Sequence, residues 1–177
     1  MAVVLRPVEE RDLARLERLD VDPSLSEPSL SEPFQWRGFR DWRARRRRWE
    51  LDGYLGDDDA LLVVACGDGT FAGIVVWSWV STSGPRGCLQ IGILLLPERR
   101  NRGVGTAAQL LLAEYLFAHT TANRVEATTG TDNTAEQRAL EKAGFTREGL
   151  LRGRGWGNGE WRDGYMYSRL RADPPPR

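Results

Sequence analysis

The chain has 177 residues, 41% of them hydrophobic, which suits one domain with a substantial core. Its 25 Lys and Arg residues balance 25 Asp and Glu, so no net field draws it to nucleic acid or to a membrane surface. No apolar run reaches the roughly 18 residues of a membrane span, and Met1–Pro7 lacks the basic-then-apolar order of a secretion signal, so a cytoplasmic setting is expected.

In chain order, Val3–Pro7 reads as a first strand and Asp12–Leu19 as a short helix with Leu13, Leu16 and Leu19 along one side. Ser24–Pro28 is followed at once by its copy, Ser29–Pro33; two prolines and four serines predict a loop, and one tandem copy is too little for a repeat architecture. Gln35–Leu51 reads as a helix carrying Phe39, Trp42 and Trp49 among arginines. Leu61–Cys66 and Phe71–Val80, separated by Gly67-Asp68-Gly69-Thr70, predict a hairpin. Cys66 and Cys88 have neither metal-ligand neighbours nor a disulfide framework around them, and read as buried small apolar residues; no metal is expected.

Ser81–Gly87 is a turn-rich connector, and Leu89–Leu96 a buried strand ended by Pro97. The period then changes: Val104, Ala107, Ala108, Leu111, Leu112, Tyr115 and Leu116 mark one stripe of an amphipathic helix. Arg124–Thr129 is a strand, Asn133–Glu136 a capping-box-like helix start, and Gly144 that helix's stop. Phe145–Leu151 and Trp161–Leu170 pair as a closing hairpin across a Gly-rich connector. One mixed α/β domain over 1–171 with a flexible tail over 172–177 is the expected organisation.

The sharpest local feature is Pro97-Glu98-Arg99-Arg100-Asn101-Arg102-Gly103-Val104-Gly105-Thr106, between a buried strand and an amphipathic helix. Freed amides at a helix start, a positive dipole end and missing Cβ atoms make such a turn an anion site. The Gly-Lys-Ser/Thr of a nucleotide P-loop is absent, and no acidic ribose partner stands where a dinucleotide fold needs one.

Arg100-x-x-Gly103-x-Gly105 resembles the pyrophosphate loop of the GCN5-related (GNAT) acetyltransferases, and Gln90–Glu98 resembles the strand before it. Asn133-x-x-x-x-Arg138-x-Leu140-Glu141-Lys142-x-Gly144-Phe145 resembles that family's second signature. Gly159–Tyr167 resembles the C-terminal hairpin of its ribosomal-protein acetyltransferase-like branch. The resemblance implies a mostly antiparallel sheet with two splayed parallel strands and acetyl-CoA as co-substrate. It implies pantetheine contacts from backbone groups of Leu94, Leu95 and Leu96. Amides of Arg100, Asn101, Arg102, Gly103, Val104, Gly105 and Thr106 would hold the pyrophosphate, with Asn133, Ala135, Leu140 and Lys142 on the facing side.

Three positions depart from the pattern. Asn101 replaces a common glycine, and asparagine tolerates positive φ. Gln90 stands where relatives carry a glutamate base. Leu140 occupies the place of a tyrosine acid, and Leu140→Tyr is expected to leave the fold intact. Glu126 and Asn133 are then the candidate catalytic residues, with Asp132 or ordered water as other bases. His119 reads as helix-end packing, and Arg43–Arg48 as a solvated helix face, the alternative being RNA contact. Trp36, Phe39, Trp42 and Trp49 divide between core and substrate wall. The function so read is acetyl transfer from acetyl-CoA to a primary amine, on a small molecule of antibiotic or polyamine type or on a protein N-terminus. The alternative is a non-catalytic acyl-CoA-binding domain. A monomer or homodimer is expected, with no nucleic-acid or membrane partner.

Overall fold

The computed structural model describes residues 2–22, 25, 42–80, 87–157 and 159–176. The tandem repeat apart from Leu25, the stretch with Trp36 and Phe39, and the 81–86 connector lie outside the described residues, as does the side chain of Trp42. The elements are β1 (Val3–Arg6), α1 (Leu13–Val21), α2 (Trp42–Asp52), β2 (Asp59–Cys66), β3 (Phe71–Trp79) and β4 (Cys88–Leu95). There follow α3 (Val104–His119), β5 (Arg124–Gly130), α4 (Thr134–Lys142), β6 (Thr146–Gly157) and β7 (Glu160–Leu170).

The strands form one seven-stranded sheet in the order β1-β2-β3-β4-β5-β7-β6. Every neighbouring pair is antiparallel except β4 and β5, which run parallel. The expected mixed sheet with one parallel pair is therefore the observed one.

Strand alternation sends successive side chains to opposite faces, and each face has its own core. Leu62, Val64, Val75, Leu89, Ile91, Val125, Ala127 and Tyr167 pack on one face against Val104, Ala108, Leu112 and Leu116 of α3 and Leu140 of α4. Leu61, Val63 and Ile74 pack on the other against Leu13, Leu16 and Leu19 of α1, with Trp49 of α2 beside them. The buried stripe of α3 is rotated from the predicted one. Gln109 and Ala113 are inside, while Leu111 and Tyr115 are exposed, because the helix also meets α4 along that side.

The closing hairpin is longer than predicted. β6 continues through the Gly-rich segment to Gly157, and Trp156 sits opposite Trp161 with the rings 5.5 Å apart. An irregularity between Leu151 and Gly155 absorbs the extra residues. Past β7, Asp173 accepts from the Leu170 amide, and Pro176 lies beside Gly144.

An ion pair fixes the start of α1. Arg6 donates to both oxygens of the buried Asp12 carboxylate, at 2.6 and 2.9 Å, and the Glu9 amide adds a third bond. Burial works against the Asp12 charge, but Arg6 and that amide outweigh it and hold the pKa below the ordinary carboxylate value. Its contribution is therefore present above about pH 3.9 and is lost as the pH falls through the lowered folded value. Asp12→Asn is expected to cost about 2 kcal/mol at pH 7 by chemical denaturation, with a difference from the parent that shrinks in acid.

Candidate active site

The parallel pairing of β4 and β5 covers only Cys88–Gln90 against Arg124–Glu126. Beyond Gln90 the strands diverge, and a cleft of about 1320 Å³ opens between them. On the face of α3 and α4 its walls include Ile91, Ile93, Leu95, Gly105, Thr106, Ala127 and Asn133. On the opposite face they include Arg45, Arg48, Tyr54, Ser78, Gln90, Thr128 and Arg154. The cleft thus passes through the sheet at the point of divergence.

The turn into α3 has the conformations an anion-binding loop needs. Asn101 takes φ +56°, and Gly103, the residue before the helix, takes φ +75°. Nothing lies within 4 Å of where a Cβ on Gly103 would stand. Arg100, Asn101, Gly103, Gly105 and Thr106 all border the cleft. Arg102 is exposed, and Val104 turns its side chain into the core. The Arg100 guanidinium turns back onto backbone carbonyls. Its Nε donates to the Leu95 carbonyl at 3.0 Å and Nη2 to the Leu25 carbonyl at 2.6 Å. Arg100 is thus a strut that joins the end of β4 to residue 25, and burial lowers its pKa.

On the facing side, Asn133, Ala135, Ala139 and Lys142 border the cleft. Asn133 caps α4, its Oδ1 accepting from the Glu136 amide at 3.2 Å. The reciprocal half of the capping box is not made, because the Glu136 carboxyl turns to Gln109 on α3 and lines the cleft. Burial pushes the Glu136 pKa up to about 7, Gln109 moderating the rise. A carboxyl whose folded pKa lies above its unfolded one destabilises as it ionises. Stability is therefore expected to fall between about pH 4.3 and 7, by roughly 2–3 kcal/mol. Glu136→Gln should flatten that slope in melting curves taken across the range.

Leu140 requires a correction. Its side chain is 0% exposed, lies in the core under α3, and does not border the cleft. Its side chain offers no open place for a phenol. Leu140→Tyr is now expected to overpack that core and cost about 1–3 kcal/mol, read as a lowered melting temperature. Leu94 and Leu96 likewise turn their side chains to the α1 cluster, which leaves only their backbone groups for a ligand.

Glu126 is also misread by sequence. It is buried and does not border the cleft, and Arg124 donates to it at 3.1 Å. Arg124 also grips both oxygens of Glu148, at 2.7 and 2.6 Å, and Ser168 donates to Glu148 as well. These bonds pull the Glu148 pKa down to about 2. Cys88 lies beside this network, its thiol pushed up to about 11 by burial and by the Glu126 charge, so it stays protonated.

Asp132, His119 and Trp49 fall away from the cleft. Asp132 is exposed and accepts from Arg162 at 3.2 Å. His119 is exposed and stacks on Tyr115, the rings 4.6 Å apart. Trp49 packs under α1 and donates to the Val8 carbonyl at 2.9 Å. The arginine run meets carboxylates: Arg46 reaches Glu10 at 2.9 Å and Arg48 holds Asp59 at 2.7 Å. Residues missed by sequence are Gln109, Thr128, Glu136 and Arg154. Among the described residues no cluster of three metal-ligating side chains occurs, and no helix is long and apolar enough to cross a membrane.

Comparison with known proteins agrees with this geometry. Residues 2–146 match the acetyltransferase (GNAT) domain family. A 91-residue stretch is 36% identical to the Bacillus subtilis (strain 168) protein named "Probable N-acetyltransferase YjcK", spanning half of each chain. The fold superposes on spermidine N-acetyltransferase from Vibrio cholerae, solved with CoA and spermine, with a TM-score of 0.79 at 17% identity, covering 97% of this chain and 96% of that one. It also superposes on RimL, a ribosomal L7/L12 alpha-N-protein acetyltransferase solved with coenzyme A, with a TM-score of 0.76 at 18% identity, covering 96% and 94%. With a family match over most of its length and a sheet that opens between β4 and β5, the chain belongs to the GNAT acetyltransferase family.

Proposed function

We propose that this protein transfers the acetyl group of acetyl-CoA to a primary amine. The observation that carries the reading is a continuous cleft that passes through the sheet where β4 and β5 part. An acyl thioester entering beside α3 and α4 and an amine entering from the α2 side would meet at the divergence. Backbone amides of β4 beyond Gln90 face no strand on that side, and the amides opening α3 are freed by the helix start. These residues fit a cofactor with a peptide-like arm and a pyrophosphate.

The chemistry joins nitrogen to the acyl carbon and breaks the carbon–sulfur bond. The neutral amine attacks, a β4 amide stabilises the developing oxyanion, and the sulfur departs as thiolate. On the amine's side of the cleft Gln90 accepts no proton and Asp59 is held by Arg48, while Glu136 stands on the other side, turned to Gln109 of α3. We therefore assign the amine's surplus proton to water in the open cleft. A thiol of pKa near ~8.5 leaves without a phenol donor, so the buried Leu140 is no obstacle.

The test is thiol release from acetyl-CoA over a panel of amines and peptides, with melting temperature followed in parallel. Acetyl-CoA is expected to protect against heat, by about 2.7 kcal/mol at a hundredfold excess over its Kd, and adenosine alone to protect little. Protection with no turnover on any acceptor would favour a non-catalytic acyl-CoA-binding domain instead.

A further inference from the structure

The acceptor side of the cleft carries an arginine that the reaction does not use. Between Leu151 and Gly155 the β6–β7 register slips, so that Arg152, Gly153 and Arg154 stand against Asp163 alone. Gly153 takes φ +56° inside this bulge, and its amide donates to Asp163 Oδ1 at 2.7 Å. The bulge turns Arg154 back over the sheet, across Gly164 of β7. A Cβ on Gly164 would stand 2.6 Å from Arg154 Cδ, so the arginine stem passes through space that only a glycine leaves open. The guanidinium ends at the Thr128 hydroxyl on β5, to which it donates. Thr128 lies two residues beyond Glu126, the last residue paired to β4, and on the same strand face.

Three features therefore converge to place one cation beside the divergence: a bulge locked by Asp163, a glycine in β7, and a hydroxyl anchor. Arg154 makes no ion pair among the described residues. Of the other charged residues described on this side of the cleft, Arg48 and Asp59 hold each other in a two-pronged pair, and Arg45 has interactions of its own. Arg154 itself therefore sets a cation beside the divergence, which favours an anionic group there over a cationic one. A guanidinium reads a planar carboxylate through two parallel bonds.

Resting on the transferase reading above, we propose that Arg154 is a specificity-determining residue that binds a carboxylate carried near the acceptor amine. The acceptor is then an acidic amino acid or an acidic peptide N-terminus. A polyamine, which carries no carboxylate, does not fit this site.

The experiment is calorimetric titration of the CoA-loaded protein with N-acetylated products. The probes are a tripeptide rich in glutamate, its lysine counterpart, N-acetylglutamate and N-acetylspermidine. The glutamate peptide or N-acetylglutamate is expected to bind at least tenfold more tightly than the lysine peptide, and whichever is tighter separates protein from small-molecule acceptors. Arg154→Gln should erase the preference while leaving CoA affinity and melting temperature unchanged, and Arg154→Lys should keep part of it. Equal binding of acidic and basic probes, tighter binding of N-acetylspermidine, no measurable binding of any probe, or a preference that survives Arg154→Gln would each overturn the proposal. Turnover of the free-amine counterparts is measured separately. Its absence alongside Arg154-dependent binding would end the transferase reading and leave the carboxylate site standing.

Discussion

Gly103→Val is expected to weaken acetyl-CoA binding by two to four orders of magnitude while the protein stays folded. Gly103 holds φ +75° where the chain turns into α3. A β-branched residue resists that conformation at a cost of order 1–3 kcal/mol. Nothing packs against the site of the missing Cβ, so the fold has no further contact to lose. The valine can relax only by swinging the peptides that aim the first amides of α3, or by staying in place and filling the cleft Gly103 borders. Each lost bond to a charged acceptor is worth roughly 1.5–3 kcal/mol, and two such losses give the stated range. Arg100→Ala should do less to binding, because that guanidinium is turned onto the Leu95 and Leu25 carbonyls. Calorimetry of both variants with acetyl-CoA, beside circular dichroism, checks the pair. A folded Gly103→Val protein that binds normally would mean the loop is not the pyrophosphate seat.

Gly73→Ala is expected to do the opposite, harming the fold first. Gly73 sits on β3 next to the bulge at Ala72 and opposite Leu95 of β4. A Cβ there would lie 2.1 Å from the Leu94 carbonyl oxygen and 2.8 Å from Leu95 Cα, both backbone atoms with no rotamer to escape into. Relief requires β3 and β4 to part along the wall of the cleft. We expect a loss of about 4 kcal/mol, among the larger effects of single substitutions, and a melting temperature lowered by roughly 8–16 °C. Acetyl-CoA affinity measured on the remaining folded fraction should fall as well, because the end of β4 borders the site. A melting temperature within a degree of the parent would show that the strands do not approach so closely.

The fold was legible because each strand from Leu61 to Thr129 carries its own period and its own breakers, and because one loop has a spacing that matters physically. Asn101 and Gly103 could be read in sequence as positions for positive φ, and both adopt it. Side-chain direction was harder to read. Leu140 and Ala139 are one residue apart, yet the first is sealed in the core and the second borders the cleft; a helix turns about 100° per residue, and its rotation is set by partners across space. The face of α3 was misjudged for the same reason, since Gln109 is drawn inside by α4.

The polar residues show a second limit. Arg124 and Glu126 stand two apart on one strand face, so their pairing was open to inspection, but the second carboxylate, Glu148, arrives from β6. Arg154 was hidden in a Gly-rich segment read as a connector. Its direction depends on a register slip, on Asp163 and on the bare backbone of Gly164, none of which has a periodic signature.

The most direct test of the account follows an isotope-labelled acetyl group from acetyl-CoA onto a panel of primary amines by mass spectrometry, with the Gly103→Val protein as the matched control. The account predicts labelled amide on at least one amine, formed with stoichiometric thiol release and lost in the control. Acetyl-CoA that binds the wild-type protein yet delivers no label to any amine would contradict it.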